Sequence, residues 1–402
     1  MGEREFVVLM AFISAMAALA IDILLPAFAD MRSAFGLAPD ATDLSLTVTL
    51  FFVGSGLGNV VYGPLTDAFG RKPVLLASLG LYGAAALAAA LATNLTWLLV
   101  ARFLWGFGSG GPRVLTQAIV RDRFSGDAMA RVMSMIQAVF FLGPIAAPLI
   151  GAGLVAVGSW RWVMAFGVVT AAVTGLWSLR LKETLVVEKR RPLSARTVRT
   201  GMAAVIGHRR TFLLALSIAF LSGSFFSFLS SSELVFADVF DRARWFVPYF
   251  SGMALILGAF SLGITQVLKR VPASRVTMIA GAGLVVIAGS RLVLALATSG
   301  IPPFVPWLVL FSLSNLCIVA MFPSLNSLAL EPMGALAGTA ASVLGFTMSV
   351  GGAALASITD RLLGESVMPL AVAYFGYGSI SFLLQLAALR RPADPVNAAV
   401  SG

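Results

Sequence analysis

Twelve stretches of mostly apolar residues follow one another along the chain, separated by short polar breaks. They cover 6–29, 43–66, 73–93, 97–120, 132–157, 160–181, 212–236, 245–268, 274–298, 303–328, 336–359 and 366–389. A hydrocarbon core needs about 20 helical residues to cross it. Within lipid every backbone N–H and C=O must find its partner inside the protein, so apolar runs of this length fold as helices. Of the 402 residues, 59% are hydrophobic and 11% are charged. Soluble domains carry about 25% charged residues; this chain has too few polar side chains to cover a globule. The expectation is an all-α polytopic membrane protein with twelve transmembrane helices. The stretch from Met1 to Phe6 is too short and too acidic for a cleavable leader, so the first span is expected to stay in the mature chain.

Charge asymmetry orients the stack. With a cytoplasmic N-terminus, twenty Lys and Arg fall on the inner side and five on the outer, with Arg102, Arg113 and Arg291 inside spans. Cytoplasmic loops carry the excess of Lys and Arg, so both termini are expected in the cytoplasm. This bias accounts for the net charge of +10 without nucleic acid. The longest polar stretch, 182–211, is a basic cytoplasmic linker. It divides the chain into residues 1–181 and 212–402, six spans each, the pattern of an internal repeat.

Charges inside the spans mark the chemistry. Asp22 lies in Ile21-Asp22-Ile23-Leu24-Leu25-Pro26 near the outer end of the first span. A charge at the bilayer centre costs roughly 2.5–3.5 kcal/mol on insertion scales, and the few kept there usually line a polar path. Asp22 is expected about 10 Å deep, and Arg102 of the fourth span about 8 Å deep. Their similar depth points to a pair facing each other across a cavity. A packing ion pair is the alternative reading, but buried pairs are often no more stable than apolar contacts. Movement of either helix then changes the balance between burial and neighbouring charge, coupling proton binding to conformation. Arg113 follows Arg102 by eleven positions, close to three turns, which predicts a column of two positive charges on one face. The glycines between them, Gly106, Gly108, Gly110 and Gly111, leave room for a neighbouring helix or a ligand. Arg291 is expected to snorkel to the interface. Glu233 is placed either at the cavity mouth or at the interface. Asn315, Met321, Phe322 and Asn326, with Phe225, Phe226 and Phe228, either line the cavity or supply packing bulk.

Between the second and third spans stands Gly63-Pro64-Leu65-Thr66-Asp67-Ala68-Phe69-Gly70-Arg71-Lys72-Pro73. It resembles the Gly-x-x-x-Asp-Arg-x-Gly-Arg-Arg loop of the major facilitator superfamily. Arg102-Phe103-Leu104-Trp105-Gly106 resembles that family's fourth-helix motif. Gly143-Pro144-Ile145-Ala146-Ala147-Pro148-Leu149-Ile150-Gly151 resembles the fifth-helix motif of its twelve-span drug:proton antiporters. Together with Ala118-Ile119-Val120-Arg121-Asp122 and the run from Leu328 to Ser342, these motifs resemble the bicyclomycin/chloramphenicol-resistance (Bcr/CflA) branch across essentially the whole chain.

The resemblance implies two six-helix bundles around a central cavity, a monomer, and residence in the bacterial inner membrane. It implies a conformational gate of Gly63, Asp67, Gly70, Arg71, Lys72 and Asp122, with Arg71 pairing Asp122 and Asp67 set against the inner end of the eleventh helix. Ala68 departs from the family's usual Arg, removing one leg of that charge relay. It also implies a hinge at Gly143, Pro144, Pro148 and Gly151 and a linkage of Arg102 to proton coupling; from the residues themselves, Asp22 is the expected proton and substrate site, Arg102 its electrostatic partner and Arg113 a second cavity charge. The expected function is proton-coupled efflux of a small amphipathic drug or metabolite, driven by the proton gradient with no cofactor. A proton-coupled importer or a dedicated metabolite exporter of the same fold is the rival. An enzyme is disfavoured: His208 and Cys317 are the single residues of their kinds and lie far apart in sequence, which leaves metal ligation without a cluster. No Gly-x-x-x-x-Gly-Lys motif supports ATP coupling.

Overall fold

The computed structural model describes residues 1–38, 41–186, 188, 190 and 193–390. Lys189, Arg191 and Pro192 of the basic linker lie outside the described residues. The described residues are helical, with no strand among them. Nine helices there are long and apolar enough to cross a membrane. The chain divides into two units, one of residues Met1–Leu193 with Arg244–Gly258, the other of Ser194–Ala243 with Ala259–Gly402.

The first unit contains α1 (Glu3–Asp22), α2 (Phe28–Ala34), α3 (Ser45–Phe69), α4 (Arg71–Ala90), α5 (Leu95–Arg123), α6 (Gly126–Val157) and α7 (Trp160–Ser178). The first apolar stretch is therefore not one continuous helix. Its α-helix stops at Asp22, and a 3-10 turn at Leu25–Ala27 leads into α2. The cause lies in the sequence: Pro26 stands four residues after Asp22 and has no N–H to give to the Asp22 carbonyl. In contrast, α6 runs on through Pro144 and Pro148 as a single helix.

Small residues let α5 approach two neighbours closely. A Cβ on Gly106 would collide with the Phe51 carbonyl of α3, and one on Gly108 would come within 2.7 Å of the Tyr82 nitrogen of α4. Gly58 and Gly110 meet face to face, each closer than a side chain permits. The glycines of the fourth apolar stretch thus make room for helices. Without a hydrophobic drive between helices in lipid, such close backbone packing is a main source of association.

The second unit contains α8 (Ala195–Gly207), α9 (Arg209–Leu234), the last part of α10 (Phe246–Val267 overall, its start belonging to the first unit), α11 (Ala273–Ala297), α12 (Phe304–Leu330), α13 (Ala337–Phe346), α14 (Gly352–Arg361) and α15 (Met368–Leu389). The linker 182–211 thus contains a helix, α8, of 13 residues, too short to read as a span. It buries Val205 against Met333, Ala340 and Val343. The eleventh apolar stretch is also interrupted: a π-turn at Thr347–Gly351 separates α13 from α14. There Gly351 and Gly352 lie close to Ala219, Ser222 and Phe226 of α9.

Gly106→Ala is expected to destabilise the purified protein by roughly 1–3 kcal/mol, since overpacking forces the backbone apart. Gly80→Ala is the control, because nothing lies within 4 Å of a Cβ there. Thermal unfolding in detergent should show a lower midpoint for the first variant and none for the second.

Candidate functional site

Asp22 closes α1 and is 5% exposed. Its carboxylate forms no hydrogen bond or ion pair among the described residues, Arg102 included; the expected ion pair is not formed. The Arg102 guanidinium, fully buried, is answered by carbonyl oxygens and rings instead. Its Nη1 donates to the Ala20 carbonyl at 3.0 Å and its Nε to the Thr47 carbonyl at 3.2 Å. Its carbon lies 4.6 Å from the Phe51 ring centroid and 5.0 Å from that of Trp105. Ring faces attract a desolvated cation, which makes a carboxylate partner unnecessary. Nη2 keeps a donor with no acceptor among the described residues. Arg102 therefore ties α5 to α1, two residues before Asp22, and to α3.

The break in α1 is closely packed. A Cβ on Gly151 would run into the Ile23 carbonyl, one residue past Asp22, and one on Gly143 would come 2.9 Å from the Ala18 Cβ. The Gly-Pro segment of α6 thus lies along the acid-bearing helix. Pro144 and Pro148 lie inside α6 between the two contacts.

Arg102 is buried against α1 and α3, while the Arg113 side chain is exposed, with no hydrogen bond or ion pair among the described residues. Eleven residues give a similar direction along the helix, but packing decides what each side chain meets.

At the other end of α3 the loop residues come together. Gly70 has φ of 99°, which favours glycine, and a Cβ there would come 2.6 Å from Glu183 Oε2. The chain then reverses into α4, and Arg71, 4% exposed, spans two carboxylates. Its Nη1 meets Asp67 Oδ1 at 2.6 Å and its Nε meets Asp122 Oδ2 at 2.9 Å. Nη1 also lies 3.4 Å from the Thr66 hydroxyl. Lys72 points elsewhere, its Nζ donating to the Leu179 carbonyl at 2.7 Å. Gly63 lies within α3, one residue before Pro64.

Glu183 belongs to this cluster and was not expected from the sequence. It follows α7 in Leu181-Lys182-Glu183-Thr184. Its Oε1 accepts from the Arg71 N–H at 2.9 Å and its Oε2 from the Lys72 N–H at 3.1 Å. Oε1 also accepts from the N–H groups of Thr184 and Leu185, each at 2.9 Å. The Thr184 hydroxyl donates to Asp122 Oδ2 at 3.2 Å. Partial burial alone would push the Glu183 carboxyl up. The N–H groups of Leu185, Arg71, Lys72 and Thr184 outweigh it and hold the carboxyl below the ordinary range. A carboxylate at a helix N-terminus both satisfies orphan donors and meets the positive end of the dipole. An acid set between Lys182 and Thr184 directly after the sixth span, one of two in that basic stretch with Glu188, was the available signal.

In the second unit Arg291 does not snorkel. It is 2% exposed, with its guanidinium carbon 4.4 Å from the Tyr374 ring centroid and 4.9 Å from that of Phe311. Rings replace the water the side chain was expected to reach. Asn315 serves packing too: its Nδ2 donates to the Phe311 carbonyl and its Oδ1 accepts from the Tyr374 hydroxyl. Phe228 stacks near Phe311, with centroids 4.1 Å apart.

Long apolar helices, with charged groups buried among them, fit a protein that spans a membrane. The solved D-xylose-proton symporter superposes with a TM-score of 0.78 at 13% identity, covering 97% of this chain and 98% of that one. The human organic anion transporter MFSD10 (TETRAN) superposes with 0.67 at 20% identity, over 96% and 100%. These likenesses establish the fold. The description of the Major Facilitator Superfamily matches residues 10–356, and the chain belongs to that family. It is 30% identical over 363 residues to YdgK of Bacillus subtilis (strain 168), described as an uncharacterized MFS-type transporter, covering 89% of this chain and 87% of the relative. It is 26% identical over 370 residues to a bicyclomycin resistance protein homolog of Haemophilus influenzae, over 91% of each. It is 28% identical over 386 residues to the multidrug resistance protein MdtL of Salmonella paratyphi C, over 91% and 92%. The chain is thus a polytopic membrane transporter and not an enzyme.

Two predictions follow the two ends of the site. Arg102→Lys keeps the charge but loses the fork that reaches two carbonyls and the planar stacking. A charge-assisted hydrogen bond is worth roughly 1.5–3 kcal/mol, so the variant is expected to unfold at lower temperature by a fluorescence melt. Glu183→Gln is expected to lower the melting point at pH 7, a lost helix cap costing about 1 kcal/mol. A carboxyl held below its ordinary range stabilises the fold above that range and loses its effect as pH falls through the folded value. The gap between Glu183→Gln and the parent should therefore close on acidification, read as melting point against pH.

Proposed function

We propose that this chain is a proton-coupled exporter of small amphipathic compounds, working by alternating access. The observation that carries the reading is Asp22, a carboxylate buried at a helix break with no ion pair or hydrogen bond among the described residues. An ionised carboxylate in hydrocarbon without a partner is costly. A proton or a polar group of a substrate removes that cost, so the two compete for one site. Arg102 holds the segment ending in Asp22 through the Ala20 carbonyl and keeps one free donor beside it. Exposed Arg113 is the second cationic group of the site.

Further parts of the reading belong with it. Nine apolar spans together with α5, α6 and α7, of 29, 32 and 19 residues, support twelve crossings in two six-helix bundles, residues 1–181 and 212–402. The inward excess of Lys and Arg supports cytoplasmic termini, and the bacterial relatives support the inner membrane. The proton gradient is the energy source, with no cofactor, and the protein acts as a monomer. Asp67, Arg71 and Asp122, backed by Glu183, form the gate: their links between α3, α4 and α5 hold while the site faces outward. The relatives named for bicyclomycin and multidrug resistance support export of antibiotics or similar metabolites.

Asp22→Asn keeps shape and polarity but carries no charge. Expressed in an efflux-deficient bacterium, it is expected to lose the growth protection that the parent chain gives against a panel of antibiotics, while reaching the membrane in equal amount. Undiminished protection would remove Asp22 from the mechanism. Everted vesicles under an imposed pH gradient separate export from the importer reading by the direction of accumulation.

A further inference from the structure

The second unit buries an acid of its own. Asp360 sits in the last turn of α14 and is 2% exposed. We propose that Asp360 is a second proton-exchanging carboxyl, with the Ser230 hydroxyl of α9 as the switch that serves both its charge states.

Ser230 Oγ lies 2.6 Å from Asp360 Oδ2, 2.8 Å from the Phe226 carbonyl and 3.2 Å from the Ser227 carbonyl. One hydroxyl proton faces three acceptors. With Asp360 ionised, the hydroxyl donates to Oδ2, a short charge-assisted bond. With Asp360 protonated, the carboxyl O–H donates to Ser230 Oγ, and the hydroxyl turns its own proton to the Phe226 carbonyl. A hydroxyl both donates and accepts, so Oδ2 stays bonded in either state. The proton enters and leaves without breaking the contact between α9 and α14.

The surroundings are tightly packed. A Cβ on Gly352 would come 2.6 Å from the Ser222 Cβ, and one on Gly223 would come 2.7 Å from the Leu355 Cβ. The carbonyl end of α14 repels a negative charge in its last turn. Of the elements packed on α14, α9 carries Arg209 and Arg210 at its start and the half-buried Glu233 one turn beyond Ser230. The π-turn Thr347–Gly351 carries no charge, and α15 carries only Tyr374 and Tyr377 as titratable groups. Tyr377 meets the Thr359 hydroxyl at 3.2 Å and the Leu355 carbonyl at 3.1 Å. Arg361 on α14 itself is exposed.

The inference extends the proton-coupled reading, and its test stands apart from export. Full-length protein in lipid is titrated from acid to alkaline pH, and the carbonyl stretch of protonated carboxyl groups is followed by infrared difference spectroscopy. The parent, Asp22→Asn and Asp360→Asn are compared. Asp360→Asn places an amide donor where the protonated acid has its O–H and is expected to remove one titrating component. Asp22→Asn is expected to leave that component in place. A spectrum for Asp360→Asn that matches the parent throughout overturns the proposal, whatever becomes of export in Asp22→Asn. Ser230→Ala is the second variant, and it decides the matter if Asp360→Asn fails to fold. It is expected to shift the midpoint of the same component; an unmoved midpoint overturns the switch.

Discussion

A guanidinium that needs no carboxylate governs the first unit. Arg102 is buried against Phe51 and Trp105 and bonded to carbonyls of α1 and α3. Two ring faces and two carbonyl dipoles are together enough to hold a cation away from water. The consequence falls on Asp22. With Arg102 committed to backbone and rings, the Asp22 carboxylate has no ion pair among the described residues.

The helix break beside Asp22 follows the same economy. Pro26 withholds one N–H from the Asp22 carbonyl, and Gly151 brings α6 against the next carbonyl along, that of Ile23. Irregular backbone at membrane depth is tolerated where protein buries it or where it lines a polar path. The Gly-Pro motif of α6 is thus tied physically to the acid of α1, a link the two motifs do not announce when read separately.

The cluster at the start of α4 works by the opposite logic. There Arg71 takes two carboxylates and Glu183 takes four backbone N–H groups. These groups lie outside the apolar spans, where water meets them as well, and full pairing secures a joint among α3, α4, α5 and the segment after α7. Among the described residues this edge cluster is paired, while Asp22 in the interior has no ion pair.

The run of apolar stretches established the helical membrane character, and the loop from Gly63 to Pro73 pointed to the family, because both are local patterns of spacing and residue type. Asp22 stood out for the same reason: one acid in an apolar run needs no neighbour to be noticed. What each charge touches was a tertiary matter. Arg102 and Asp22 lie at similar depth but do not pair, since rotation of α5 and the rings beside it decide where the guanidinium points. Arg291 was read as snorkelling and is enclosed by Tyr374 and Phe311, which lie twenty or more residues away in sequence. Glu183 found its role only when the chain after α7 folded back on α4, and α8 was invisible as a helix until Met333 and Val343 covered its apolar side. Sequence alone fixed which groups are expensive to bury; only packing decided which of them are satisfied, because a hydrogen bond depends on position and direction in space, and periodicity along one helix carries neither across to the next.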